Sequence, residues 1–507
     1  MEENDTAPAS PESPGSAKSE QEPEQESEQE SEQESEQEPE EDFASLIDFH
    51  PYRDRFEAHH RIPAEPRSHE SILAELGTMA EEEDAMGNAG RVSGSIYHGG
   101  HDHYQFLTQA YGLFAHANVL QRDMYPSATK LEGEIVAMTA ALLNGSAVSE
   151  HHPGEEVCGV VTFGGTESLI NPMLVYRERG RVEKGITAPE VIIPVTAHVA
   201  LQKAAHMLGI TLLQAPVRDD WRADVDWIRE HVTANTVAIV GSAGNYPHGL
   251  IDPIEEMSEL ALEHDLGFHV DGCMGGFILP WAERLGYPIP TFDFRLPGVT
   301  SISADTHKFG YALKGTSVLL YRNSTLRRYQ YFSYSDWPGG IYMSPGLSGS
   351  RSGGVVAAAW AAMLSLGEQG YLEIAERIFE TAATILTGVA SIPELEVFGD
   401  PTFIIAFRGR DIDIYHVNDF LISNGWRLNA LQLPPGLHFC VTRPNTADGI
   451  AEAFLADLRD AVEYAKTPGL GPARSGALYG LGGSPEGNEA LDMLFAAALD
   501  AMYDVVP

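Results

Sequence analysis

Cysteine is scarce in this chain of 507 residues. Cys158, Cys273 and Cys440 are odd in number, far apart and free of any C-x-x-C pair, so neither a disulfide framework nor a zinc site has support. Long apolar runs are also missing. The longest, Val355 to Leu364, is about half of the roughly 20 residues a membrane span requires and is mostly alanine, as in a buried helix. Basic charge is the third scarcity, with 32 Lys and Arg against 74 Asp and Glu, a net charge of −42 and no basic stripe. That sign repels phosphate backbones and sets nucleic acid aside, leaving small molecules and cationic proteins as partners. The opening MEENDTAP has neither the basic and apolar regions of a secretory leader nor the Arg-rich pattern of a transit peptide. The expectation is a cytoplasmic protein without a transmembrane segment.

What is present divides the chain. Residues 1 to 42 hold 17 acidic residues and one lysine, cycling through Glu, Gln and Ser, and have too little apolar surface to offset the entropy of ordering. They read as a disordered acidic tail, either a solvating leader or a docking site for a basic protein. Residues 43–125 mix short helical patterns with turns, including the Gly-rich SGSIYHGG, and read as an N-terminal arm. From residue 126 to 366 the apolar strand candidates VCGVVTFGG, EVIIPV, TVAIVGSAG, LGFHVDG and SISADTHK alternate with helical stretches. That alternation predicts βαβ units and a mostly parallel sheet. Residues 367–507 continue with a helix, the strand candidates ELEVFG, FIIAFRG and HFCVTR and a further helix, a smaller C-terminal α+β domain.

Three motifs carry chemistry. Gly164-Gly165-Thr166-Glu167-Ser168 joins a strand to a helix, where glycines admit an anion to the main chain and free N–H groups hold a phosphate. The same string is also an ordinary helix start. His269-Val270-Asp271 delivers a carboxylate to the C-terminal end of a strand, the edge at which α/β folds bind ligands. Ser301 to Lys308 (SISADTHK) presents a lysine beside His307, although an isolated lysine is usually a surface charge. Together they supply, in order, what pyridoxal 5′-phosphate needs: an anion cradle, a carboxylate to keep the pyridine nitrogen protonated, and an amine for the Schiff base. His198, after EVIIPVTA, is placed to cover the cofactor ring.

On the stretches FGGTESLINPML, HVDGCMGGF, SISADTHKFGYALKG, DWPGGIYMSPGLSGSR and LQLPPGLHFC, the chain resembles the sphingosine-1-phosphate lyases from about Ser93 to Tyr479. These belong to the group II pyridoxal-phosphate-dependent decarboxylase superfamily of fold type I, the aminotransferase-like fold. The acidic tail in place of a membrane anchor matches the soluble, bacterial type. The resemblance implies Lys308 as the Schiff-base lysine, Asp271 as partner of the pyridine nitrogen, His198 as the stacking ring, and Gly165, Thr166 and His307 as holders of the cofactor phosphate. Tyr97, Lys314 and Arg351 match positions associated with the substrate phosphate, and Tyr342 and Tyr479 match tyrosines that assist turnover. At Asn118-Val119-Leu120-Gln121-Arg122-Asp123 the family usually reads N-P-L-H-P-D, so Gln121 stands where a phosphate-contacting histidine is expected. The family also implies a homodimer whose subunits share active sites.

The reaction so implied is retro-aldol cleavage of sphingosine 1-phosphate, or a related phosphorylated long-chain base, to a long-chain aldehyde and phosphoethanolamine. An amino-acid decarboxylase on the same scaffold is the alternative, since the same electron sink serves loss of CO₂. The cationic pair Lys314 and Arg351 suits a dianionic phosphate better than one small amino acid. A non-catalytic interaction protein working through its tail is the third reading, and intact Lys308 and Asp271 argue against it.

Overall fold

A computed structural model describes residues 49–479 and 485–503. The acidic tail expected over residues 1 to 42 lies outside the described residues. The chain forms two units. In the smaller one, built from the two ends of the chain, His50 Nε2 donates to the carbonyl of Ala501 at 2.8 Å. The larger unit, residues 70–483, carries all the motifs.

Its centre is a seven-stranded sheet. The strands are β1 Cys158–Thr162, β2 Glu190–Pro194, β3 Thr211–Ala215, β4 Thr236–Ser242, β5 Gly267–Asp271, β6 Ser301–Ala304 and β7 Ser317–Tyr321, in the order β1-β7-β6-β5-β4-β2-β3. Pairing is parallel from β6 through β3, while β7 runs antiparallel to both of its neighbours. Side chains alternate across a strand, so a sheet covered on both faces reads as continuous apolar sequence. Val160, Val191, Ile193 and Val240 accordingly enter one core with the helices Gly165–Lys184 and Ala200–Leu208. Val161, Ile192, Ile239 and Val270 enter the other, against the helices Pro126–Leu142, Ile254–Glu263 and Gly353–Ala390.

The helix Gly353–Ala390 contains the apolar run Val355 to Leu364 and is interrupted at Gly367, whose φ of 57° is not helical. Beyond it, β10 Leu395–Val397, β11 Ile404–Gly409, β12 Asn429–Gln432 and β13 Pro435–Cys440 form an antiparallel sheet in the order β10-β11-β13-β12, backed by the helices Ile414–Ser423 and Ile450–Ala465. This is the mixed α/β arrangement expected, with a mostly parallel sheet followed by a smaller α+β layer. A hairpin, Phe332–Tyr334 paired with Tyr342–Ser344, stands apart from both sheets. Among the described residues no helix is long and apolar enough to cross a membrane.

Candidate active site

The loops that leave the C-terminal ends of β1, β4, β5 and β6 converge on one cavity of about 660 Å³. From β1 the chain turns at Gly164, with a φ of 134°, into the helix Gly165–Lys184. Only glycine fits this turn: a Cβ on Gly165 would lie 2.8 Å from Asp305 Oδ2, and one on Gly164 would lie 3.2 Å from the His307 ring. β5 ends on Asp271, whose Oδ1 accepts from the N–H of Cys273 at 3.0 Å and from the Ser303 hydroxyl at 3.4 Å. After β6 come Asp305, His307 and Lys308.

Lys308 Nζ pairs with Asp305 Oδ2 at 2.9 Å. Burial alone would push this amine down, but the Asp305 carboxylate, helped by Cys273 and Asp271, outweighs it and holds Lys308 above its ordinary value. Burial likewise opposes ionisation of Asp305, and the Lys308 and His307 charges overcome it and keep the carboxyl below the usual range. Burial lowers His307, whose Nδ1 is buried without a hydrogen-bond partner among the described residues. The loop after Lys308 is clamped from two remote elements. Tyr311 is fully buried with a left-handed φ of 57°, its carbonyl accepts from His103 Nε2 at 2.9 Å, and the Gly310 carbonyl accepts from the Tyr371 hydroxyl at 3.0 Å.

Of the residues singled out in the sequence, Tyr97, Gly165, Thr166, His198, Asp271, His307, Lys308 and Lys314 line this cavity. His198 follows β2, and its Nδ1 accepts from the N–H of Ala200 at 3.1 Å. Lys314 Nζ lies 4.8 Å over the ring of buried Tyr97 and reaches the Ser95 carbonyl at 3.4 Å. Partial desolvation, and then the charge of Lys308, pull the Lys314 amine below its usual value.

Four residues lie off the cavity. Gln121 is exposed and Tyr342 sits in the β8–β9 hairpin, β8 being Phe332–Tyr334 and β9 Tyr342–Ser344. Tyr479 packs on Tyr415 with ring centres 6.2 Å apart and lies within electrostatic range of Tyr246. Arg351 is turned to the far side of β1. It donates to both oxygens of Glu132 at 3.2 Å and to the Val161 carbonyl at 2.5 Å, beside a second cavity of about 890 Å³. Glu132 also pairs with Arg122.

Sequence reasoning missed Tyr246, Asp305 and Cys273, which line the site. The signal for Tyr246 was its place in GSAGNY, directly after a strand, at the edge where α/β folds gather ligands.

These elements define a pyridoxal-phosphate-dependent enzyme of fold type I. Residues 87–409 match the pyridoxal-dependent decarboxylase conserved domain. The glutamate decarboxylase of Lactobacillus brevis has the same fold, with a TM-score of 0.69, 19% identity and coverage of 84% of this chain and 100% of that one. The sphingosine-1-phosphate lyase of Arabidopsis thaliana is 46% identical over 424 residues, which are 82% of this chain and 76% of that protein. The solved sphingosine-1-phosphate lyase of Burkholderia pseudomallei is 51% identical, covers 90% of this chain and 99% of its own, and superposes with a TM-score of 0.84. The chain belongs to the sphingosine-1-phosphate lyase family.

The donor set fits pyridoxal 5′-phosphate. The orphaned Nδ1 of His307 stands beside a glycine turn that opens helix N–H groups to the cavity, and an anion at that place completes both. Asp271 and Lys308 lie on the same cavity, where the ring nitrogen and the aldehyde require an acid partner and an amine.

Proposed function

We infer that the protein cleaves the C2–C3 bond of sphingosine 1-phosphate or a related phosphorylated long-chain base, releasing a long-chain aldehyde and phosphoethanolamine. The observation that carries this reading is a second cation, Lys314, on the same cavity as Lys308 and resting over Tyr97. One small amino acid has no use for it, whereas a phosphate does. When bound, pyridoxal 5′-phosphate takes up the electron pair of the breaking bond.

The chain's own residues do the rest. Gly165, Thr166 and His307 hold the cofactor phosphate, His198 covers the ring, and Asp271 keeps the pyridine nitrogen protonated. Asp305 would hold the free Lys308 amine as an ion pair, as it does here at 2.9 Å. Tyr97 and Lys314 hold the substrate phosphate. On the cavity, the Tyr246 phenol, which burial keeps protonated, can return a proton to C2, and the Lys308 amine can take the 3-hydroxyl proton in its uncharged form.

The working unit in this reading is a homodimer. Its support is the β8–β9 hairpin, which exposes Phe332, Trp337, Ile341 and Met343, and the position of Tyr342 and Gln121 away from their own Lys308. Three free thiols suit the cytoplasm. Incubation of the purified protein with sphingosine 1-phosphate and with a panel of free amino acids, assaying aldehyde and CO₂ separately, tests the reaction. Aldehyde from the phosphorylated base is expected. CO₂ from an amino acid, with no aldehyde, would assign a decarboxylase instead. Light scattering of the eluted protein checks the dimer.

A further inference from the structure

Behind the cavity floor lies a run of polar side chains that the reaction as described leaves unused. β5 and β6 pair in parallel with His269 beside Ser301 and Asp271 beside Ser303. Because side chains two residues apart share a face, all four project into the same layer, beneath the helix Gly165–Lys184. His269 sits between the two serines, with Nδ1 2.7 Å from Ser301 Oγ and Nε2 3.2 Å from Ser303 Oγ. Ser303 Oγ reaches Asp271 Oδ1 at 3.4 Å and accepts from Cys273 Sγ at 3.3 Å. At the other end Ser301 Oγ meets the Tyr176 hydroxyl at 2.6 Å, and that hydroxyl lies 2.8 Å from Thr300 Oγ1. Tyr176, His269, Ser301 and Ser303 have no exposure to solvent.

The direction of every hydrogen in this chain follows from its end. A carboxylate only accepts, so Ser303 donates to Asp271. Ser303 then receives the proton-bearing Nε2 of His269, which leaves Nδ1 as an acceptor for Ser301, and Ser301 in turn accepts from Tyr176. A neutral imidazole satisfies this order and a charged one does not, because a charged ring has no acceptor for the Ser301 hydroxyl hydrogen. Burial, opposed only by Asp271, lowers the His269 pKa to about 4, which keeps the ring neutral across the working range. Aligned donors polarise one another, so the chain acts on Asp271 as a unit.

We propose that His269 and Ser303 are positioning residues for cofactor chemistry: through an ordered chain of neutral donors they hold the Asp271 carboxylate fixed at the cavity floor, and so set how firmly the cofactor's pyridine nitrogen keeps its proton. The proposal rests on the reading of Asp271 as partner of that nitrogen. The other charged or titratable groups facing Asp271 are Asp252, Cys273 and Lys308, and the substitutions below leave them in place.

The test loads the full-length protein with pyridoxal 5′-phosphate carrying ¹⁵N in the pyridine ring and follows the ¹⁵N chemical shift against pH, with the cofactor dissociation constant and thermal midpoint measured alongside. Ser303→Ala and His269→Leu should lower the pH at which the nitrogen loses its proton by about one unit and weaken cofactor binding roughly ten-fold, the weight of one hydrogen bond to a charged group. Ser303→Thr keeps the hydroxyl, and His269→Gln keeps a donor near the Nε2 position, so both should restore most of the wild-type titration. A merely structural role would move the thermal midpoint and leave the nitrogen titration alone. If His269→Leu does not fold, Ser303→Ala against Ser303→Thr decides the matter. Asp271→Asn separates the two levels of the argument. A nitrogen titration unchanged by Asp271→Asn overturns the reading of Asp271 and the relay with it. One that moves in Asp271→Asn but stays at wild type in Ser303→Ala overturns the relay alone.

Discussion

Replacing Arg351 by Ala should unfold the protein more readily and leave its preference for a phosphorylated substrate intact, while Lys314→Ala should do the reverse. Arg351 and Glu132 are each at least nine-tenths buried, and the guanidinium makes three hydrogen bonds, two to the carboxylate and one to the Val161 carbonyl. Removing one partner of such a pair strands the other charge, at a cost of about 3–5 kcal/mol. Arg122 still pairs with Glu132 and brings the expectation to the lower end of that range. Replacing both partners with apolar residues, as in Glu132→Leu with Arg351→Met, strands nothing and should recover most of the loss. Lys314 is exposed and holds one long bond to Ser95, so its removal should barely move stability. The same removal deletes a charge-assisted contact to phosphate of roughly 1.5–3 kcal/mol, which is ten- to a hundred-fold in affinity. Urea denaturation of the three variants, with the ratio of affinities for phosphorylated and free long-chain base, reads both quantities. If Arg351→Ala is as stable as wild type and loses the phosphate preference, the ion pair is not what holds Arg351 and the argument fails.

Lys308→Ala should lose turnover and the visible absorption band of lysine-bound cofactor while keeping its circular dichroism; near-normal turnover would reassign the lysine. Asp271→Asn should weaken cofactor binding at least as much as Ser303→Ala and cleave far more slowly even when saturated with cofactor, and wild-type rates would remove its role in charge storage. Stability should rise with pH between about 4 and about 6.5, because His248, His269 and His438 are each pushed down to about 4 by burial while the unfolded chain binds their protons up to about 6.5. Buried Asp252, pushed up to about 6, works the other way over part of that window. Three groups against one leave a net rise, and a urea midpoint that is flat or falling over this range would contradict it.

Most strands buried on both faces were legible, as in β4 with TVAIVGS and β5 with GFHVD, because continuous apolar sequence ending in a turn has few other readings, but the equally buried β7, SVLLY, was passed over. β3, TLLQA, was passed over because it is an edge strand, short and half exposed. The cofactor side of the site was legible because its residues stand at strand ends, where one motif fixes one place. The Arg351 pair was not, since its partner lies some 220 residues away in sequence. A clue was nonetheless available in the helix Pro126–Leu142: Glu132, Ile135, Thr139 and Leu142 make one buried stripe, and a carboxylate within such a stripe requires a buried cation.

The clamp on the loop after Lys308 bears on how the enzyme comes into being. The His103 ring and the Tyr371 hydroxyl, drawn from opposite ends of a span of 269 residues, hold two adjacent carbonyls of that loop. A nascent chain that has emerged only as far as the lysine possesses the reactive amine but not the second hold on its loop. The loop that carries the lysine therefore reaches its final geometry only when the arm, the central sheet and the long helix have come together.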